Sequence, residues 1–215
     1  MTGTRSRPTA AFIGLGAIGA PIARHVAENT TFAVWNRTRG IATEFAAATG
    51  ARDAESPASA ASGADFLLTC LPTSAQVEAV LFGANGAAAS LRSGAMVIDC
   101  TSGDPTTSRK IADRLARSGI AFIDAPVSGG VSGAEAGKLT VMVGGDAAAL
   151  ERARPILELF AGKIVHCGHV GAGDAVKAVN NALLAVHLWS TAEGLAAIST
   201  LGVDPAVELA VINST

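Results

Sequence analysis

Short apolar runs alternate along this chain with stretches in which apolar residues recur every three or four positions. Residues 10–13, 32–35, 65–70, 95–99 and 121–124 are runs of strand length. Runs of this kind, bounded by polar or glycine-containing stretches, read as strands buried on both faces. Between them Ile22, Ala23, Val26 and Ala27 fall at helical spacing, and 74–81 and 106–118 carry the same period. Further on, 139–143 reads as a strand, 147–160 as a helix and 163–167 as another strand. The alanine-rich patches at 46–48, 87–89 and 147–149 read as helix faces. Regular alternation of strand and helix predicts an α/β fold with a doubly wound, mostly parallel sheet covered on both faces.

The pattern changes at 171–201, where apolar residues lie nearly all round one long helix of roughly 28 residues, about 42 Å. Its flanks Ala175, Val176, Val179, Leu183, Leu184, Val186, Leu188 and Trp189 suggest burial on most sides. Lys177, Asn180, Asn181, His187 and Glu193 interrupt the apolar run, which argues against a membrane span. Lys177 and Asn181 stand four apart and so share a helix face. A lysine amine desolvated among apolar neighbours has a lowered pKa and can exchange a proton. On the helix alone, a snorkelling lysine beside solvated amides fits equally well.

The first strand breaks into Gly14-Leu15-Gly16-Ala17-Ile18-Gly19 and then into the first helix. Strand, glycine turn and helix in this order form a dinucleotide-binding fingerprint, with the helix N-terminus turned to a pyrophosphate. The fold expectation is therefore a Rossmann-type domain over residues 1–167. Residues 168–215 would hold the long helix and the start of an all-α C-terminal domain, truncated here. After the second strand stands Asn36-Arg37-Thr38-Arg39. No carboxylate is present there to bond a ribose 2′-hydroxyl, while arginine and hydroxyl donors suit a 2′-phosphate, so NADP is favoured and NAD is possible. Leu71, Pro72 and Ser102 fall just past strand ends, the edge where such sheets bind ligands.

The glycine-dense segment 124–145 offers the Ser128 hydroxyl and the Gly129 and Gly130 amides as an anion nest. A ligand-free, hairpin-like connector is the alternative. The net charge of −2 and pI near 6.1 give no reason to expect a nucleic-acid or membrane partner. Cys70, Cys100 and Cys167 have neither disulfide-framework nor zinc spacing. His25, His166, His169 and His187 form no metal motif, so no metal is expected. The polar stretch 1–8 carries no apolar core of a secretion signal, which suggests a cytoplasmic protein.

Three motifs in order and spacing, 12–19, 124–145 and 168–181, resemble those of the β-hydroxyacid dehydrogenases. The resemblance implies NAD(P)-dependent, reversible oxidation of a 3-hydroxy acid such as 3-hydroxyisobutyrate to its semialdehyde. Reduction of glyoxylate, succinic semialdehyde or tartronate semialdehyde is the alternative, as is a cofactor-binding protein without turnover. It also implies that Lys177 is the catalytic acid/base and that Asn181 orients substrate and lysine. Ser128, Gly129 and Gly130 would bind the substrate carboxylate, and Leu71, Pro72 and Ser102 the cofactor. Family members continue past the long helix into a helical lobe, so a homodimer or homotetramer covering 183–198 is expected.

Overall fold

The computed structural model describes residues 7–214, so most of the polar N-terminal stretch read above for a secretion signal lies outside the described residues. The described chain forms two units, the first ending at Lys177 and the second beginning at Ala178.

The first unit is built on β1 (Thr9–Ile13), β2 (Thr31–Trp35), β3 (Arg52–Asp53), β4 (Phe66–Thr69), β5 (Met96–Asp99) and β6 (Ala121–Asp124), which pair in parallel in the order β3-β2-β1-β4-β5-β6. β7 (Val127–Ser128), β8 (Leu139–Gly144) and β9 (Ala161–Gly168) extend the sheet; β8 runs antiparallel to β6 and β7, and β9 parallel to β8. The sheet is therefore mostly parallel, as the alternation predicts.

Successive strand residues feed opposite cores. Phe12, Leu68, Ile98 and Ile123 pack on one face with Ile22 and Val26 of α1 (Gly19–Ala27), Phe45 of α2 (Arg39–Thr49) and Leu150 and Leu157 of α7 (Ala147–Leu157). Ile13, Leu67, Val97 and Phe122 pack on the other with α3 (Pro57–Ala61), Val77 and Leu81 of α4 (Ser74–Phe82) and Ile111 and Leu115 of α5 (Pro105–Ala116). Each such side chain, wholly removed from water, contributes about 1.5–3 kcal/mol.

Some expectations shift. The 87–89 patch is a 3-10 turn, not a longer helix. The glycine-dense segment is hairpin-like, β7 pairing antiparallel with β8, but the connection between them is the short helix α6 (Gly130–Glu135) and not a plain turn. α8 (Ala172–Thr200) buries only Gly173, Asp174 and Lys177. The expected burial on most sides is therefore not found: Ala175 and Val176 are already exposed, as are Val179, Leu183, Leu184, Val186, Leu188 and Trp189. In the second unit α8 ends at Thr200, Gly202 takes φ +76, and α9 (Pro205–Ile212) follows with Asp204 capping it through Ala206 N at 2.9 Å. Nothing in α9 is buried. By length and composition α8 is apolar enough to cross a bilayer.

Candidate active site

In doubly wound sheets ligands bind at the carboxyl edge, where strand order reverses beside β1. There the turn after β1, the end of β2 and the end of β4 enclose a cavity of about 360 Å³. Its walls include Gly14, Leu15, Gly16, Asn36, Arg37, Thr38, Leu71 and Pro72, so the structure brings most of the expected cofactor residues together. Ala17, Ile18 and Gly19 complete the turn and open α1, while Ser102 lies exposed past β5.

The three glycines of the turn do different things. Gly14 has φ +104, and a Cβ there would lie 2.3 Å from the Cys70 carbonyl oxygen. One on Gly19 would lie 2.0 Å from the Gly14 carbonyl oxygen. Both are needed to pack strand, turn and helix. A Cβ on Gly16 would meet nothing within 4 Å, and the residue is exposed. The protein's own packing does not require glycine at 16, which leaves its backbone open to close approach from outside the protein.

The polar residues after β2 also separate. Asn36 Oδ1 accepts from the Leu15 amide at 3.0 Å, and its Nδ2 donates to the Thr38 carbonyl at 3.1 Å. Its amide thus braces the glycine turn against the end of β2. Arg39 pairs with Asp53 at 3.0 Å, whereas Arg37 is exposed and unpaired among the described residues. Of the two arginines, Arg37 is thus the one whose charge is uncommitted among the described residues.

Further along the same edge lies a buried carboxylate lattice that motif reading does not anticipate. Asp124 Oδ1 accepts from the Gly171 amide at 2.7 Å, and Oδ2 from the Asp174 amide at 2.9 Å. Asp124, ending β6, thereby caps the first turn of α8 from outside the helix. Asp174 in turn accepts from the Gly103 amide at 2.9 Å and from Ser108 Oγ at 2.6 Å. Gly144 and Gly173 leave room for Asp124: Cβ atoms there would come within 2.3 and 2.9 Å of its carboxylate oxygens.

Lys177 stands one turn beyond this clamp. It is buried, its side-chain amine makes no hydrogen bond among the described residues, and burial lowers its pKa. Asn181 follows one turn later on α8 and is exposed. Ser128 pairs across to Thr140 on β8 with its hydroxyl uncommitted. Gly129, at φ +132, and Gly130, at φ +65, open α6.

Asp99 ends β5 fully buried, with Oδ1 accepting from Thr69 Oγ1 at 2.8 Å and from the Thr101 amide at 3.0 Å. Thr101 Oγ1 accepts from the Leu71 amide at 3.0 Å, tying the network to the cavity wall. Burial pushes Asp99 up to about 7, with the Asp174 charge adding to it and the hydrogen bonds opposing. A carboxyl raised in the fold stabilises in its protonated form, so stability falls as pH climbs from about 4 to about 7. Asp99→Asn keeps both bonds through its Oδ1 and cannot ionise. It is expected to melt several degrees above the parent at pH 8, from about 2–4 kcal/mol of relief, with the gap closing toward pH 4. Equal melting at both pH values in thermal scans would refute this.

Burial likewise pushes Cys70 up to about 12 and raises Cys100 and Cys167, which leaves all of them as thiols.

A glycine turn open to a ligand at the edge of a parallel sheet, with a free arginine after β2, defines a nucleotide-binding protein of the Rossmann dehydrogenase class. Residues 9–168 match the family described as the NAD binding domain of 6-phosphogluconate dehydrogenase. Residues 171–215 match the one described as the NAD-binding of NADP-dependent 3-hydroxyisobutyrate dehydrogenase. NAD-dependent L-serine dehydrogenase of Pseudomonas aeruginosa is 42% identical over 207 residues, 94% of this chain and 66% of the relative. 2-(Hydroxymethyl)glutarate dehydrogenase of Eubacterium barkeri is 39% identical over 196 residues, 90% of this chain and 64% of the relative. The solved structure of Mycobacterium tuberculosis 3-hydroxyisobutyrate dehydrogenase with L-serine superposes with a TM-score of 0.88 at 37% identity, covering 97% of this chain and 70% of that one. The chain belongs to the β-hydroxyacid dehydrogenase family. It spans about two thirds of the length of these curated relatives.

Proposed function

We propose that the chain supplies the cofactor-binding and proton-transferring part of an NADP(H)-preferring enzyme that reversibly oxidises 3-hydroxy acids to semialdehydes. The observation that carries this reading is Lys177, a buried lysine without a partner, held one turn past the Asp124 clamp at the carboxyl edge of a dinucleotide-binding sheet. L-serine, 2-(hydroxymethyl)glutarate and 3-hydroxyisobutyrate, named for the relatives, share one skeleton: a primary alcohol on C3, a carboxylate on C1 and a variable substituent on C2. The substrate class is therefore a 2-substituted 3-hydroxypropanoate. Its carboxylate would meet Ser128, Gly129 and Gly130, and its hydroxyl Lys177, with Asn181 orienting both.

NADP, held by the glycine turn and Arg37, supplies the hydride acceptor when bound. Lys177 in its neutral form takes the hydroxyl proton during oxidation and returns it during reduction. Steady-state assays with these three hydroxy acids, glyoxylate, succinic semialdehyde and tartronate semialdehyde, each with both cofactors, test the reading. Turnover confined to glyoxylate and succinic semialdehyde, or none at all, would refute it, whereas tartronate semialdehyde is the oxidised form of a 2-substituted 3-hydroxypropanoate and belongs to the class.

Calorimetric titration tests the cofactor half. NADP should bind one to two decades more tightly than NAD, because a charge-assisted bond to phosphate is worth roughly 1.5–3 kcal/mol. Gly16→Ala should weaken both by roughly tenfold or more while leaving the melting temperature unchanged, since its Cβ obstructs only the ligand. Tighter NAD binding, or unaltered affinity in Gly16→Ala, would count against these assignments.

The protein is read as a soluble cytoplasmic enzyme and a homodimer or homotetramer, its exposed α8 residues covered by a second copy. A monodisperse species at the chain mass of 21.4 kDa in light scattering, stable on dilution, would exclude that assembly.

A further inference from the structure

We infer that Asp174 is the positioning residue of Lys177, its side chain tying the first turn of α8 to α5 and to the loop after β5. The inference rests on the reading of Lys177 as the proton carrier and adds what holds that amine in place. Of the residues of α8, only Gly173, Asp174 and Lys177 are buried. Gly173 has no side chain to anchor, and the Lys177 amine has no hydrogen-bond partner among the described residues. The place of the lysine is therefore inherited from its helix. Asp174, at 1% exposure, is the one α8 side chain among the described residues that bonds to other elements. It stands three positions before Lys177, on the same helix face.

Both ends of this tether are firm. Asp174 Oδ2 accepts from Ser108 Oγ on α5, whose Ile111 and Leu115 are core residues. Asp174 Oδ1 accepts from the Gly103 amide, in a loop fastened at its next residue, where the Asp104 amide donates to Ser74 Oγ of α4 at 2.7 Å. A Cβ on Gly103 would lie 3.0 Å from Asp174 Oδ2, so the loop backbone sits directly against the carboxylate. Asp124 grips backbone amides of the same turn from β6. Asp174 adds a grip through a side chain on the lysine's own face, which resists rolling of the helix. Burial raises the pKa of Asp174, and the Asp124 and Asp104 charges add to that. An asparagine would keep both bonds, its oxygen accepting from the Gly103 amide and its nitrogen donating to the Ser108 hydroxyl. The position therefore calls for the two bonds and not for the charge.

The test is trace acetylation with acetic anhydride across pH, read by mass spectrometry at Lys177 against exposed Lys163, in the parent, Asp174→Ala and Asp174→Asn. It reports the pH at which the Lys177 amine loses its proton, with or without turnover. In Asp174→Ala the loosened turn admits water to the amine, so the midpoint should rise toward the ordinary lysine value. Asp174→Asn loses the charge alone and should show no rise. Turnover of a 3-hydroxy acid should fall roughly tenfold in Asp174→Ala, with KM and NADP affinity within about twofold, and Asp174→Asn should recover it. Thermal melting checks that Asp174→Ala is folded. If it is not, Ser108→Ala, which removes one of the two bonds, takes its place and its midpoint should rise in the same direction. A midpoint that stays at the parent's value, or moves alike in the alanine and asparagine variants, overturns the inference even if the parent turns over normally. A shifted midpoint with no turnover by the parent sinks the reading of Lys177 as proton carrier and leaves the tether standing.

Discussion

Lys177→Ala should lower turnover of a 3-hydroxy acid by roughly 10²–10⁴-fold, the range general acid–base groups contribute, while leaving NADP affinity within about twofold of the parent. The separation follows from where the two jobs reside. The cavity proposed for the nucleotide is walled by the turn after β1 and the ends of β2 and β4, whereas Lys177 lies near the start of α8. Burial lowers the lysine's pKa by disfavouring its charged form, since no carboxylate is paired with it to restore the charge. The neutral amine is the base, so oxidation should quicken as pH rises through that lowered pKa, and reduction should quicken as pH falls. Loss of this opposite pH dependence along with the rate would mark the lysine as the proton carrier. A Lys177→Ala enzyme that kept most of its rate would remove Lys177 from the chemistry.

The largest effect on stability is expected at Asp124. Its carboxylate satisfies the Gly171 and Asp174 amides, both buried in the first turn of α8. Asp124→Ala strands both donors where water does not replace the acceptor. Hydrogen bonds to a charged group are worth roughly 1.5–3 kcal/mol each, so the cost should be about 3–5 kcal/mol. For a protein of this size that is a fall of about 10 °C in melting temperature. Asp124→Asn should fall between, because its amide nitrogen must face one of the two donors. Thermal melts decide the matter: an Asp124→Ala variant melting within about 2 °C of the parent would show that something else holds α8 to the sheet.

Much of the fold is legible in the sequence because parallel strands, buried on both faces, are unbroken apolar runs that end in glycine or polar turns. The 14–19 turn and the strands at 10–13, 32–35 and 121–124 fall where the pattern puts them, within a residue. The short elements α3, β3 and α6 are less visible, since a five- or six-residue helix is too brief to show a period. The Asp204-Pro205 start of α9 is a readable cap and first turn, and it falls after a long apolar stretch that masks the break at Gly202. At the site the glycine turn and Lys177 stand out by residue type and spacing. The Asp124 clamp does not, because it joins residues 47 and 50 positions apart, and no local pattern records which amide a distant carboxylate will meet. Nor does sequence separate Arg37 from Arg39; only the pairing of Arg39 with Asp53 assigns the free cation.

The division of labour among the glycines of the first turn bears on how damage at this site would show itself in a cell. Side chains at 14 or 19 collide with backbone oxygens of the protein itself, so substitutions there act on folding and lower the amount of protein that survives quality control. A side chain at 16 meets no atom of the protein within 4 Å, so on the proposed reading substitution there should leave a normally abundant protein that holds its cofactor less tightly. Abundance and activity measured side by side across variants of this one turn would thus report two separate selections, one for existing and one for working, acting on residues two and three positions apart.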